Sequence, residues 1–355
     1  MCNPSNYDKL DDLLSKIPVE HAVGTRLAHD ITEIRPGEFK GPSFRRGHKV
    51  EQQDLCHLMR LGKRHLYVLD LKANQVHEDD AVAELAAALA GPGVTYGGRP
   101  KEGKLQLTAA YSGLLKVNTE ALVDFNLIPD VMCASLHDNV PVNQGQVLAG
   151  TRAIPLIIDR GILDQAVALA LKRAPIFSVK AYCRLRARLI ITGNEVYEGL
   201  IEDKFEKIVR RKLEALGASL EETVILPDDR QLIADHARRF LEAGTDIMIT
   251  TGGMSVDPDD VTRLGILQAG VETLYYGAAA LPGAMTMMAY KGNIPIIGIP
   301  ACGLFYQTTV FDLLLPRLLA GENPDNRDLA RLAVGGLCLD CDVCRYPACS
   351  FGKAC

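Results

Sequence analysis

Between residues 176 and 320 the sequence alternates short apolar runs with stretches of helical spacing, and this alternation limits the folds open to the chain more than any other feature. Runs rich in β-branched and aliphatic residues fall at Arg188–Thr192, Thr223–Leu226, Asp246–Thr251 and Ile294–Ile299. Apolar residues three and four apart mark helices at Asp203–Leu216, at Arg230–Ala243, through Gln268 and from about Phe305 to Leu319. Strands that alternate with helices of about ten or more residues predict parallel βαβ units. Their crossovers are right-handed, which puts helices on both faces of an open sheet. The expected fold is α/β, a three-layer α/β/α arrangement with a mostly parallel sheet. Ligands of such sheets bind beyond the C-terminal ends of the strands.

A length of 355 residues calls for more than one core, since domains run to roughly 100–200 residues each. Residues 1–175 read as an irregular α+β region. Helices are expected at Asn6–Lys16, Glu51–Arg60, Ala81–Ala90, Asn118–Asn126 and Leu163–Lys172. Short strands are expected at His65–Leu69, Asp130–Leu136, Gln146–Ala149 and Pro155–Ile158. Residues 321–355 open on a linker-like Gly-Glu-Asn-Pro-Asp-Asn and end in a Cys-rich tail. Charged residues make up 23% and hydrophobic residues 48% of the chain, which rules out wholesale disorder. The net charge of −5 argues against a basic protein that coats nucleic acid. No apolar run reaches the length of a membrane span, and the first twenty residues lack an apolar signal core. The expected location is therefore cytoplasmic, with neither nucleic acid nor membrane as a partner.

The strand ends carry the polar residues. The first reads Thr192-Gly193-Asn194-Glu195, a glycine turn beside a carboxylate that can accept hydrogen bonds from ring amino groups or lie near a metal. At the second, Pro227-Asp228-Asp229 precedes a helix. One Asp is enough to cap that helix, which leaves the other free to hold a divalent cation such as Mg²⁺. The third reads Thr251-Gly252-Gly253-Met254-Ser255, followed by Asp257, Asp259 and Asp260. A glycine turn ahead of a helix is a ready anion site, and Ser255 adds a hydroxyl. An anion beside that many carboxylates requires a bridging cation, so the combination points to metal-assisted chemistry on a phosphate. Pro282-Gly283 and Pro300-Ala301-Cys302-Gly303 form two further turns where a pocket wall would lie. Neither a Walker loop nor a dinucleotide fingerprint occurs.

Five of the ten cysteines fall in the last eighteen residues: Cys338, Cys341, Cys344, Cys349 and Cys355. In a chain read as cytosolic, such clustering suggests a metal site rather than a disulfide framework. Cys-x2-Cys-x2-Cys is the ligand run of bacterial ferredoxin-type [4Fe–4S] sites. Four thiolates from Cys338, Cys341, Cys344 and Cys349 also suit structural Zn²⁺.

In order and spacing, the strand-end motifs Thr192–Glu195, Pro227-Asp228-Asp229, Thr251–Val256 with Asp259–Thr262, and Pro282-Gly283 resemble the molybdopterin-binding domain. That domain is found in molybdopterin adenylyltransferases and molybdopterin molybdotransferases. Upstream, Pro18–Gly24 with Leu27, Ala28 and Asp30 looks like the start of the molybdotransferase type, and residues 130–158 look like a molybdopterin-binding protein of anaerobic prokaryotes. The resemblance implies a role in molybdenum cofactor biosynthesis. Adenylylated molybdopterin and molybdate would be substrates, AMP would be released, Mg²⁺ would be needed, and the chain would form a homodimer. Asp228 and Asp260 would be the essential carboxylates near metal and phosphate. Gly193, Gly252, Gly253, Ser255, Pro282 and Gly283 would line the cofactor site, with Glu195 near the pterin or the metal. The alternative implied is a carrier or sensor that holds the pterin without turnover. The chain departs from the family in two places: Pro282-Gly283-Ala284-Met285 stands where Pro-Gly-Lys-Pro is common, and Pro300-Ala301-Cys302-Gly303 where Pro-Gly-Asn-Pro is common.

Overall fold

The computed structural model describes residues 15–35, 38–68, 71–101, 103–254, 257 and 260–353. They fall into two compact units. The first gathers the described residues up to Ala110 with Val117–Leu136 and Gly145–Ser178. The second takes Tyr111–Lys116, His137–Gln144 and the described residues from Val179 onward, so the Cys-rich tail is part of it.

The first unit is α+β. Helices form at Asp54–Arg60, Glu78–Leu89, Thr119–Asn126 and Arg160–Lys172. Side-chain caps fix the starts of the last two: Asn118 accepts from the Ala121 amide and Asp159 from the Gly161 amide. An antiparallel sheet runs in the order Val94–Tyr96, Lys104–Ala109, Val147–Ala153, Val131–Ser135. Most of the expected helix at Asn6–Lys16 lies outside the described residues. Its last two residues belong instead to a strand, Ser15–Pro18, which pairs antiparallel with His65–Val68. Tertiary pairing overrides the local helical spacing there. Around that pair, Val19, Leu27, Ile31, Leu55, Leu58 and Leu66 form a small core.

The second unit contains the expected α/β domain. Its elements are β1 (Arg186–Thr192), α1 (Phe205–Ala215), β2 (Ser219–Leu226), α2 (Arg230–Glu242), β3 (Ile247–Thr251), α3 (Thr262–Gln268), β4 (Thr273–Tyr276), β5 (Met287–Lys291), β6 (Ile294–Ile299) and α4 (Val310–Leu319). The sheet order is β2-β1-β3-β6-β5-β4. β2, β1, β3 and β6 are parallel, and β5 and β4 add antiparallel at one edge.

Alternate strand residues feed two separate cores, one on each face of the sheet. Leu189, Ile191, Ile249 and Ile297 pack with Phe205, Val209 and Leu213 of α1 and with Val310, Leu314 and Leu318 of α4. Ile190, Met248 and Ile296 point the other way and pack with Ile233, Ala237 and Phe240 of α2 and Ile266 of α3. This is the three-layer arrangement that two-residue side-chain alternation requires when both faces of a sheet are covered.

Two details differ from the sequence reading. The helix expected from about Phe305 starts at Val310, because Thr309 and Asp312 form a reciprocal capping box there. Only a short 3₁₀ turn, Ala301–Leu304, precedes it. The edge strands β4 and β5 were not anticipated.

One ion cluster ties distant parts of the second unit together. The Glu322 carboxylate receives Lys116 at 2.9 Å, Lys180 at 3.0 Å and Arg317 at 2.9 Å. Burial alone would raise its pKa, but hydrogen bonds from these three cations outweigh burial and bring it down to about 2. A carboxyl lowered from 4.5 in the unfolded chain stabilises the fold above that pH, and the contribution fades as pH falls towards 2. Glu322→Gln should therefore cost roughly 2–3 kcal/mol at neutral pH. Denaturant unfolding across pH would check this: the gap between wild type and variant should narrow below about pH 4.5 and close as pH falls through about 2.

Candidate functional site

The order β2-β1-β3 means that the chain leaves β1 towards one side to make β2 and returns on the other to make β3. This reversal opens a crevice at the C-terminal ends of β1 and β3. A cavity of about 1030 Å³ lies there, lined by the turns after β1, β2, β3 and β6 and by Leu281–Met285. Ligand sites span roughly 300–1,000 Å³, so the cavity is large enough for a fused-ring ligand with a phosphate tail.

The loop after β3 is held by close backbone contact. Gly252 has φ +81°, and a Cβ on it would sit 2.1 Å from the Thr192 carbonyl oxygen. Gly253 has φ +53°, and its Cβ would meet the Thr262 hydroxyl at 2.3 Å. Only glycine fits both positions. The buried Thr192 hydroxyl links the two strand ends, donating to the Thr251 carbonyl at 3.1 Å and lying 2.8 Å from the Thr262 hydroxyl. Met254, 3% exposed, anchors the loop from below. Its sulfur occupies the space that a Cβ on Gly298 would fill, and its carbonyl accepts from the Tyr276 hydroxyl at 2.5 Å.

The two aspartates after β2 divide their work. Asp229 caps α2, accepting from the Gln231 amide at 2.8 Å and the Leu232 amide at 2.9 Å. Asp228 faces the cavity and is half-buried. It is locked to the turn after β1 by a reciprocal pair: its Oδ2 accepts from the Asn194 amide at 3.0 Å, while its own amide donates to Asn194 Oδ1 at 3.1 Å. Asp260 lines the same cavity and accepts from the Asp257 amide at 3.0 Å.

On the opposite wall, Gly283 has φ +115° and lies against α4, where a Cβ would meet the Val310 amide nitrogen at 2.8 Å. The half-buried Cys302 also lines the cavity, and burial pushes its thiol up.

Of the residues expected in the site, Gly193, Glu195, Asp228, Gly252, Gly253, Asp260, Pro282 and Gly283 all line this one cavity. Ser255 lies outside the described residues. Cys338 lines it too. Cys341, Cys344 and Cys349 do not, but together with Cys338 they line a second, smaller cavity. The sequence reading missed the positioning roles of Thr192, Asn194, Met254 and Thr262, and it missed Tyr306 and Asp340 on the wall. Thr192, Asn194 and Thr262 stand inside the strand-end motifs. Gly298, an isolated glycine within β6, was a legible sign of a close approach.

The charge of the cavity is one-sided. Glu195, Asp228, Asp257, Asp260 and Asp340 line it, and among the described lining residues there is no lysine, arginine or histidine. Ala284 and Met285 occupy the turn where a lysine was the common alternative. A phosphate can enter such a site only with a cation between it and the carboxylates. Among the described residues, no group of three or more His, Cys, Asp or Glu is arranged to hold a metal ion. Mg²⁺ asks for less, since one or two protein carboxylates suffice when waters and phosphate oxygens complete its shell. Asp228 and Asp260, beside a glycine turn no side chain can fill, fit that requirement.

Comparison with known proteins matches two separate stretches of the chain. Residues 188–320 match the family model described as a probable molybdopterin binding domain, the family that the strand-end motifs resemble. Residues 16–70 match one described only as a domain of unknown function. A molybdopterin molybdenumtransferase of Synechococcus elongatus is 26% identical over 168 residues, 44% of this chain and 40% of that protein. A CinA-like protein of Thermosipho melanesiensis is 36% identical over 78 residues, 22% of this chain and 19% of that protein. The chain thus spans between about a fifth and two-fifths of these relatives' length. Among solved structures, the molybdopterin biosynthesis Mog protein of Mycobacterium ulcerans is 23% identical, covering 38% of this chain and 94% of that one at a TM-score of 0.33. Among the described residues, no helix is long and apolar enough to cross a membrane.

Gly252→Ala tests how the loop is held. The added methyl must displace the Thr192 carbonyl and hold a positive φ, so a loss of about 2–3 kcal/mol is expected in thermal or denaturant unfolding.

Proposed function

We propose that the strand-end cavity binds the phosphate-bearing tail of molybdopterin and that the chain assists molybdate insertion, with AMP released from the adenylylated pterin. The observation that carries this reading is the meeting of a glycine cradle with Asp228 and Asp260 in one cavity that holds no basic side chain among its described residues.

The chain's own groups have separable tasks. Gly252 and Gly253 leave room for phosphate oxygens against the backbone. Asp228, fixed by Asn194, and Asp260, fixed by the Asp257 amide, would hold Mg²⁺ between them and the ligand. When bound, Mg²⁺ neutralises the pyrophosphate and polarises it towards attack. Glu195 would accept hydrogen bonds from the amino groups of the pterin ring. Thr192 ties the ends of β1 and β3 together beneath these loops. A dimer is proposed from the family resemblance.

A second reading has its own support. A cavity with Ala284 in place of a lysine, and with Ala301 and Cys302 in the next turn, has no fixed cation for a leaving phosphate among its described residues. That favours a carrier or sensor that holds the pterin without turnover.

One experiment separates the readings. Purified protein is mixed with adenylylated molybdopterin, molybdate and Mg²⁺, and both AMP release and pterin binding are followed. Turnover that needs Mg²⁺ and falls about a hundredfold or more in Asp260→Ala would support insertion. Tight binding without AMP would support the carrier, and no pterin binding would sink both.

A further inference from the structure

The Cys-rich tail is built into the wall of the strand-end cavity. Leu337 forms a parallel bridge with Leu281, the residue before Pro282. The Leu281 amide donates to the Gly336 carbonyl at 2.7 Å, and the Cys338 amide donates to the Leu281 carbonyl at 2.8 Å. Leu337, Cys338 and Asp340 thereby line the larger cavity. The tail's far end is anchored separately: Phe351 is 2% exposed in the core shared by α1 and α4, and the Gly352 amide donates to the Gly335 carbonyl at 2.9 Å.

Residues 338–353 form neither helix nor strand. Tyr346 packs against the core and its hydroxyl donates to the Asp312 carbonyl at 3.3 Å. Leu339 and Val343 are 74% and 72% exposed, so apolar burial does not fix the stretch between Cys338 and Cys344. What this stretch does share is a cavity of about 230 Å³ lined by Cys338, Cys341, Cys344 and Cys349, all four of them free thiols. The Thr308 hydroxyl lies 3.3 Å from the Cys344 sulfur, and Arg345 lines the same cavity.

We infer that these four cysteines hold a [4Fe–4S] cluster, and that the cluster fixes the Leu337–Asp340 wall of the strand-end cavity. The four cysteines line one cavity, and the spacing of the ligands favours a cluster over a single ion. The Cys-x2-Cys-x2-Cys spacing is the one that wraps an iron–sulfur cube in a short loop. Loading is a redox-neutral ligand exchange: each cysteine thiol displaces one ligand thiolate of a preformed cluster, and its proton leaves with the released thiol. Arg345 then stands beside the net negative charge of the thiolate-bound cube. The site is independent of the pterin reading, because its ligands and its cavity are the tail's own.

The test is anaerobic transfer of a synthetic thiolate-ligated [4Fe–4S] complex to the full-length apoprotein, without pterin. About four iron and four sulfide per chain and a visible charge-transfer band are expected. Amide hydrogen exchange across 336–349 should slow on loading. Cys341→Ser and Cys344→Ser should each lose most of the cluster. Because Cys341 is exposed, the first of these leaves the core packing intact. Cys183→Ser, at an exposed thiol outside the tail, should load normally. Failure to take up the cluster, equal loading in the Cys341→Ser, Cys344→Ser double variant, or displacement of the cluster by one zinc per chain would each overturn the assignment. Unchanged exchange across 336–349 after full loading would overturn the claim that the cluster fixes the wall.

Discussion

The site depends on one close approach, the backbone of Gly252 lying against the carbonyl of Thr192. β1 and β3 are adjacent and parallel, and the chain leaves their ends in opposite directions. That divergence opens the crevice, but it would also let the two loops drift apart. The Thr192 hydroxyl prevents this by bonding to the last carbonyl of β3 and to the first residue of α3. Asn194 does the same on the other side, where it is joined by two hydrogen bonds to Asp228 after β2. Three strand ends are thus stitched together by short polar side chains and by glycines that leave space. The carboxylates that line the cavity inherit their positions from these stitches.

This arrangement also gives the acidic cavity its logic. A carboxylate facing a void is costly unless something of opposite sign shares the space. Asp229 is relieved of that cost because it caps α2, where the helix N-terminus favours negative charge. Asp228 and Asp260 each accept a backbone amide from the turns around them. The same loops therefore fix the carboxylates that line the cavity.

The α/β domain was readable where local pattern and tertiary role agree. β1, β3 and β6 are buried on both faces and appear as continuous aliphatic runs, and the glycines and aspartates at their ends mark the cavity. The edge strands did not announce themselves. β4 is half-exposed and reads Thr-Leu-Tyr-Tyr, and β5 reads Met-Met-Ala-Tyr-Lys, in which only the tyrosine has a strong strand preference. The helix entry at Val310 was misplaced because residues 305–309 look like its first turn, while the cap lies at Thr309. In the first unit, strands such as Phe39–Phe44 carry Gly41 and Pro42 and are set by their partner rather than by their own sequence. The choice between Asp228 and Asp229 could not be read from composition. It follows from which of the two meets the first amides of α2.

Glu322 has a consequence for how this chain can be divided. Its three cations come from Lys116, Lys180 and Arg317, positions spread over two hundred residues of sequence. Tyr111–Lys116 and His137–Gln144 belong to the second unit although they are encoded within the first, and Val140–Val142 pairs antiparallel with Gly113–Leu115. A cut near residue 176 would leave the α/β domain without one of Glu322's cations and without that strand pair. The two halves are therefore not cassettes that recombination could exchange at a single junction. Exchange of the second unit would need to carry its three separate segments together.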